Sequence, residues 1–156
     1  MDNANVFDFE LNEAEGYWSV SQYNGGTGEV SVPAFHEGKP VKEIGNHAFA
    51  FRRKLQRVII PEGIVSIGVS AFAYCAALED IKLPESLTSI LGFAFEGCRA
   101  LAKIKFTKYL SYISERAFWS CTGLVTIKLP ENLTDIGEYA FSCCKGGDLE
   151  PILFSV

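Results

Sequence analysis

The sequence predicts a solenoid of about five stacked coils, rich in β-strand with short helical or 3-10 turns and closed at its N-terminus by a β-hairpin cap. Three observations predict it. Segments beginning at Leu55, Leu78, Leu101 and Leu124 align without gaps at a period of 23 residues. Segments 78–100 and 124–146 share twelve of those 23 positions. Five of the twelve Phe occupy a single column of the alignment, so the Phe excess is a period and not a bulk property. A unit this short cannot close a core alone, and each coil must stack on its neighbours.

The shared frame reads L-x-x-I-x-L-P-x-x-L-x-x-I-G-x-x-A-F-x-x-C-x-x. In I-x-L the apolar residues alternate, as in a strand with one face inward, and the following Pro ends the strand because it lacks the next ladder N–H. L-x-x-I returns along a second side, as a short strand or an extended turn. G-x-x-A-F-x-x-C places Ala, Phe and Cys at helical offsets, which predicts one helical or 3-10 turn. Phe49, Phe72, Phe95, Phe118 and Phe141 then form a continuous stack with Ala beside each ring. A partial copy, 30–54, precedes the full repeats 55–77, 78–100, 101–123 and 124–146: Val41-Lys42-Glu43-Ile44-Gly45-Asn46-His47-Ala48-Phe49 matches the second half of the frame.

This frame resembles the BspA-type, treponemal-like leucine-rich repeat over roughly residues 30 to 146. The resemblance is carried by Leu124-Val125-Thr126-Ile127-Lys128-Leu129-Pro130 with Ile136-Gly137 and Ala140-Phe141-Ser142-Cys143-Cys144, and by Gly38-Lys39-Pro40-Val41 ahead of the first Ile-Gly-x-x-Ala-Phe. It implies a leucine-rich-repeat solenoid and a non-enzymatic module of surface or secreted proteins, several relatives of which act in adhesion to host matrix proteins or other cells. Thr107 departs from the strand-ending Pro, and Leu91 and Ser114 from Gly, so turn geometry is expected to vary there.

Residues 1–29 lie outside the repeat and form the cap. Tyr17-Trp18-Ser19-Val20-Ser21-Gln22-Tyr23 alternates, Asn24-Gly25-Gly26-Thr27-Gly28 is a turn cluster and Glu29-Val30-Ser31-Val32 returns, predicting a hairpin that shields the first coil's edge. At the other end the register slips at Gly146-Gly147-Asp148, and 147–156 is either a closing strand or the start of another coil of a longer array.

Cys75, Cys98, Cys121 and Cys144 recur at the repeat spacing. A column of parallel side chains about 5 Å apart resists disulfide geometry and makes no tetrahedral metal cage, which leaves packed thiols. The fifth, Cys143, is expected to point outward, where a free thiol can join two chains. His36 and His47 have no repeated Ser or carboxylate partner, and Gly25-Gly26-Thr27-Gly28 lacks the Lys and helix of a phosphate loop. No enzyme activity, cofactor or metal is expected.

The 156 residues carry 14 Lys plus Arg against 19 Asp plus Glu, a net charge of −5 that opposes broad attraction to nucleic acid or anionic membrane. No stretch of the sequence is long and apolar enough for a membrane-spanning helix, and the first residues lack the basic start and apolar run of a signal peptide. Within that acidic average the middle position of I-x-L forms an outward column of Ile59, Lys82, Lys105 and Lys128. Flanking Glu79, Asp80, Glu85 and Glu131 would offset the mutual repulsion of the lysines. Tyr109, Tyr112 and Trp119, with Phe93 and Tyr139, stand at variable positions, where aromatics are either half-buried between coils or exposed as interface anchors. The candidate partner-binding residues are therefore Lys82, Lys105, Lys128, Tyr109, Tyr112 and Trp119. The expected partner is a protein or glycan surface ligand, met by a monomer or an edge- or thiol-linked dimer at a cell surface or after secretion. A structural spacer that projects another domain is the alternative.

Overall fold

The computed structural model describes residues 6–145. The chain opens with an antiparallel hairpin of β1 (Phe7–Asn12) and β2 (Tyr17–Tyr23). Phe7-Asp8-Phe9-Glu10-Leu11 alternates, and the connecting turn closes through Gly16, at φ 72°, whose N–H donates to the Asn12 carbonyl at 2.8 Å. The predicted cap hairpin is thus present with a different partner strand. Gly28, at φ 79°, turns the chain away, and Gly28–Ser31 becomes β3 on another side of the molecule. A Cβ at Gly25 would run into the Tyr23 hydroxyl, so the Asn24–Gly28 cluster allows Tyr23 to fold back and is a crossing, not a hairpin turn. A second small hairpin, β4 (Phe35–His36) with β5 (Lys39–Ile44), turns through Glu37 and Gly38, both at positive φ as a two-residue turn requires.

Each later coil has three sides. The first is a parallel sheet of β3, β6 (Leu55–Ile59) and β8 (Asp80–Lys82), followed among the described residues by the isolated bridge Lys103–Thr126. The second is the long sheet, in which β2 and β5 lead into β7 (Ser66–Ile67), β9 (Ser89–Ile90), β10 (Tyr112–Ile113) and β11 (Asp135–Ile136), all parallel. L-x-x-I therefore forms the short strand. The bulged start of β2–β5 pairing joins the cap to the solenoid without a break in the ladder.

The third side corrects the expected helical or 3-10 turn: no helix occurs among the described residues. Two residues per coil take left-handed φ, His47, Ser70, Phe93, Arg116 and Tyr139 in one column and Phe51, Tyr74, Gly97, Ser120 and Cys143 in another. Each resets the chain after a single turn, which helical φ throughout would prevent. Alternate N–H groups are freed to bond the next coil, as in Phe49, Phe72, Phe95 and Phe118, which donate to the carbonyls of Ala71, Ala94, Ala117 and Ala140 at 2.7 Å.

The core is the stack of Phe rings. Phe49, Phe72, Phe95 and Phe118 are wholly buried, and successive centroids from Phe49 to Phe141 lie 4.7, 5.2, 5.0 and 5.1 Å apart. Tyr23 extends the stack into the cap at 4.9 Å from Phe49, and Phe7 covers Tyr23 at 5.3 Å. Thr107 stands in for Pro by burying its hydroxyl against the Pro84 carbonyl at 3.2 Å. The expected closing strand at 147–156 lies outside the described residues.

Candidate interaction surface

The first sheet turns two columns outward. In one, Glu29, Arg57 and Asp80 are neighbours in register and alternate in sign, with Arg57 bonded to Glu29 at 3.3 Å and to Asp80 at 3.5 Å. The other column holds Ile59, Lys82, Lys105 and Lys128. Ile59 is paired with Lys82, and all three lysines are exposed. The expected pairing of flanking acids with these lysines is not found: among the described residues both ion pairs belong to Arg57. Asp80 is drawn to the planar Arg57 fork beside it. A corner acid, Glu62, likewise turns to the Glu85 and Ser86 amides at 2.9 and 3.2 Å. Lys82 and Lys105 rim a shallow pocket of about 370 Å³ with Glu62, Asp80, Glu85 and Thr107.

The aromatic candidates fall on three separate sides. Tyr109 sits at the corner after the first sheet, 54% exposed, with the Lys108 ammonium 4.7 Å from its ring centre. Tyr112 belongs to β10 on the second sheet, where its hydroxyl bonds Ser114 Oγ at 3.3 Å. Trp119 is half-buried on the turn side. There it packs against Arg116, whose guanidinium lies 5.6 Å from the Trp119 and Phe93 rings and 5.4 Å from Tyr139. The six candidate residues do not converge on one site. Sequence reasoning missed Arg116 at the centre of that aromatic group, although Phe93, Arg116 and Tyr139 are one repeat apart. It also missed the exposed Phe51–Tyr74 stack, with centroids 5.2 Å apart and rings within 10° of parallel, whose signal is the same spacing.

The cysteine column is structural. Cys75, Cys98, Cys121 and Cys144 are buried free thiols, and each donates its S–H to a Phe carbonyl one coil back, Phe49, Phe72, Phe95 and Phe118, at 3.0 to 3.2 Å. Burial pushes the Cys75 thiol up to about 12, and drives Cys98 well above the ordinary value. Cys143 is exposed. Among the described residues no group of three or more His, Cys, Asp or Glu is placed to hold a metal, and no helix is long and apolar enough to cross a membrane.

Parallel rungs 23 residues apart, an unbroken Phe core and exposed columns that differ from coil to coil define a leucine-rich-repeat β-solenoid. The chain belongs to the BspA type leucine rich repeat family, whose model matches residues 41–152 in six copies. It superposes on the crystal structure of a Treponema pallidum leucine rich repeat protein with TM-score 0.89 and 34% identity, over 92% of this chain and 67% of that one. A leucine-rich repeat protein from Bacteroides ovatus gives 0.82 and 30%, over 91% of this chain and 38% of that one. This chain thus spans about two thirds of the first relative and well under half of the second. The pneumococcal vaccine antigen PcpA shares the fold, at TM-score 0.68 and 21% identity over 77% of this chain and 30% of that one. No curated protein matches the sequence. The repeat family supports a protein-interaction module, and its fold is generally non-catalytic.

Proposed function

We propose that this module serves adhesion on a cell-surface or secreted protein and meets its partner through the face that carries Lys82, Lys105 and Lys128. One observation carries the reading: three exposed lysines stand on successive rungs with no bonded carboxylate among the described residues, in a chain of net charge −5. Like charges about 5 Å apart repel by roughly 1 kcal/mol in water, so an acidic partner surface that pairs with them gains what the free protein loses. Tyr109, at the adjoining corner, extends the contact with an aromatic anchor. Tyr112 and Trp119 would contribute only to a partner that wraps around the solenoid. Surface placement follows the resemblance to surface and secreted proteins of this repeat class, and a module without catalytic chemistry follows the family's general character.

The test is binding of the wild-type chain and the triple variant Lys82→Glu, Lys105→Glu, Lys128→Glu to immobilised host matrix glycoproteins, heparin and duplex DNA over a salt series. The expected result is salt-sensitive retention on at least one glycoprotein or on heparin, none on DNA, and weaker retention on charge reversal. Unchanged binding of the variant to every surface would overturn the lysine face, and absence of all binding would leave a spacer role.

A further inference from the structure

On the turn side, Arg53, Tyr74, Ala76, Gly97 and Arg99 line a pocket of about 250 Å³. Arg53, Ala76 and Arg99 are one column of the repeat. At about 4.8 Å per rung the two arginines start roughly 10 Å apart, with only the Ala76 methyl between them. The neighbouring column runs Phe51, Tyr74, Gly97, and here too the chain turns small at the pocket. A Cβ at Gly97 would lie 2.8 Å from Tyr74 Cδ1, so glycine is what lets the Tyr74 ring lie against the chain here, and no side chain from that position enters the pocket.

Both arginines are exposed, and among the described residues neither is in an ion pair. The nearby carboxylate, Glu96, accepts the Tyr74 hydroxyl proton in a hydrogen bond, which fixes the ring from one end while Phe51 stacks against it. The result is a rigid aromatic wall between two unpaired planar donors. A guanidinium fork matches the paired oxygens of a carboxylate or sulfate. The volume is below the roughly 300 to 1,000 Å³ of pockets for drug-sized ligands, and suits one ring rather than an extended chain.

We propose that this pocket binds a sugar ring bearing sulfate or carboxylate groups, with its C–H face against Tyr74 and its anionic substituents held by Arg53 and Arg99. An acidic amino-acid side chain would satisfy one guanidinium and leave the other, and the Tyr74 wall, unused. A ring with anionic groups on both edges engages all three. The site is separate from the lysine face and stands or falls independently of it.

The probe is a heparin tetrasaccharide added to the isotopically labelled 156-residue chain, with its fully desulfated counterpart and an aspartate tetrapeptide as comparisons. The expected result is saturable shifts of the Tyr74, Ala76 and Gly97 amides with the heparin fragment alone. Binding read at those amides should weaken by about tenfold or more in Arg53→Ala, Arg99→Ala, a loss of about 1.4 kcal/mol, and severalfold in Tyr74→Leu. It should persist in the triple lysine variant. The paired change Arg53→Lys, Arg99→Lys should retain part of the affinity, since charge remains while the fork is lost. Shifts confined to the first sheet, equal binding by the arginine-less variant, or tighter binding by the aspartate peptide would each overturn the proposal.

Discussion

Cys98 donates its thiol hydrogen to the main-chain carbonyl of Phe72, one coil back, at 3.1 Å, and is wholly buried. The same carbonyl accepts the Cys75 N–H at 3.2 Å, so each cysteine both bridges coils and braces the turn before it. A cysteine that acts only as a small hydrophobe predicts that serine, which buries a more polar group, is a worse replacement than alanine. The bridging bond predicts the reverse. Cys98→Ala should lose about 1 to 2 kcal/mol from the missing bond and volume, and Cys98→Ser should lose less. Urea unfolding of the two variants decides the order.

Buried thiols also tie stability to alkaline pH. In the fold Cys75 is pushed by burial from 9.0 up to about 12. The unfolded chain therefore loses that proton first, and the folded state holds it through the interval between. The stabilising contribution is complete below about pH 9 and is lost as pH rises toward 12. The slope for a single fully linked proton is about 1.4 kcal/mol per pH unit. Wild type and Cys75→Ala should thus converge in stability between pH 8 and pH 10.5. Parallel curves across that range would refute the linkage. At pH 8 a thiol reagent should label Cys143 rapidly and the four column cysteines only on unfolding.

Phe95 lies between Phe72 and Phe118, at 5.2 and 5.0 Å, with no exposed surface. Phe95→Ala should cost about 3 to 5 kcal/mol, and Phe95→Leu clearly less, because leucine refills part of the cavity. Tyr23→Ala should cost less than Phe95→Ala, since Tyr23 has a core ring on one side, Phe49, and a hairpin ring, Phe7, on the other. Equal losses in chemical unfolding would mean that the cap is as integral to the stack as a central coil.

These residues also show what was legible beforehand. The Phe column could be read because every coil places the same side chain at the same depth, and period alone then fixes contact. The hairpin partner was misassigned because Asn24–Gly28 has the composition of a turn, whereas its glycines serve the folding-back of Tyr23 and the crossing at Gly28. The alternation Phe7-Asp8-Phe9-Glu10-Leu11 was the missed signal. Ala-Phe-x-x-Cys has helical spacing, and the left-handed residues that break the helix are mostly not glycine, so nothing in His47, Ser70, Phe93, Arg116 or Tyr139 reveals the φ each adopts. The lysine column was legible as an outward row. Its missing acid partners were not, because strand register decides the pairing: Arg57 stands directly across from Asp80, whereas Lys82 lies two residues along the same strand. The arginine pocket arises from two small residues in neighbouring columns, which no single column shows.

Lys105 stands between Lys82 and Lys128 on the adjacent rungs of the first sheet. Reversing its sign turns two repulsions into attractions. Lys105→Glu should raise the thermal midpoint at low salt by an amount corresponding to a few tenths of a kcal/mol, and the gain should vanish near 1 M salt, where the screening length falls to about 3 Å. A destabilised variant at low salt would mean that the lysines have partners beyond those described, and would weaken the case for an unpaired basic face.

Gly97 is the one glycine among the left-handed residues two positions beyond each core Phe, where Phe51, Tyr74, Ser120 and Cys143 stand in the other coils. Backbone conformation alone therefore does not require it, since four other residues adopt the same φ in that column. Tyr74 does. A Cβ at Gly97 would come within 2.8 Å of Tyr74 Cδ1 and 3.0 Å of Cε1. Gly97→Ala should then be destabilising by about 1 to 2 kcal/mol, from the left-handed conformation of an L-residue and from displacement of the ring. In the Tyr74→Ala background the ring term disappears and only the conformational term remains, so the same substitution should cost about half as much. A double-mutant cycle on unfolding free energy measures the difference. Additive costs would show that Tyr74 moves aside freely, which would also remove the fixed aromatic wall on which the sugar-binding pocket depends.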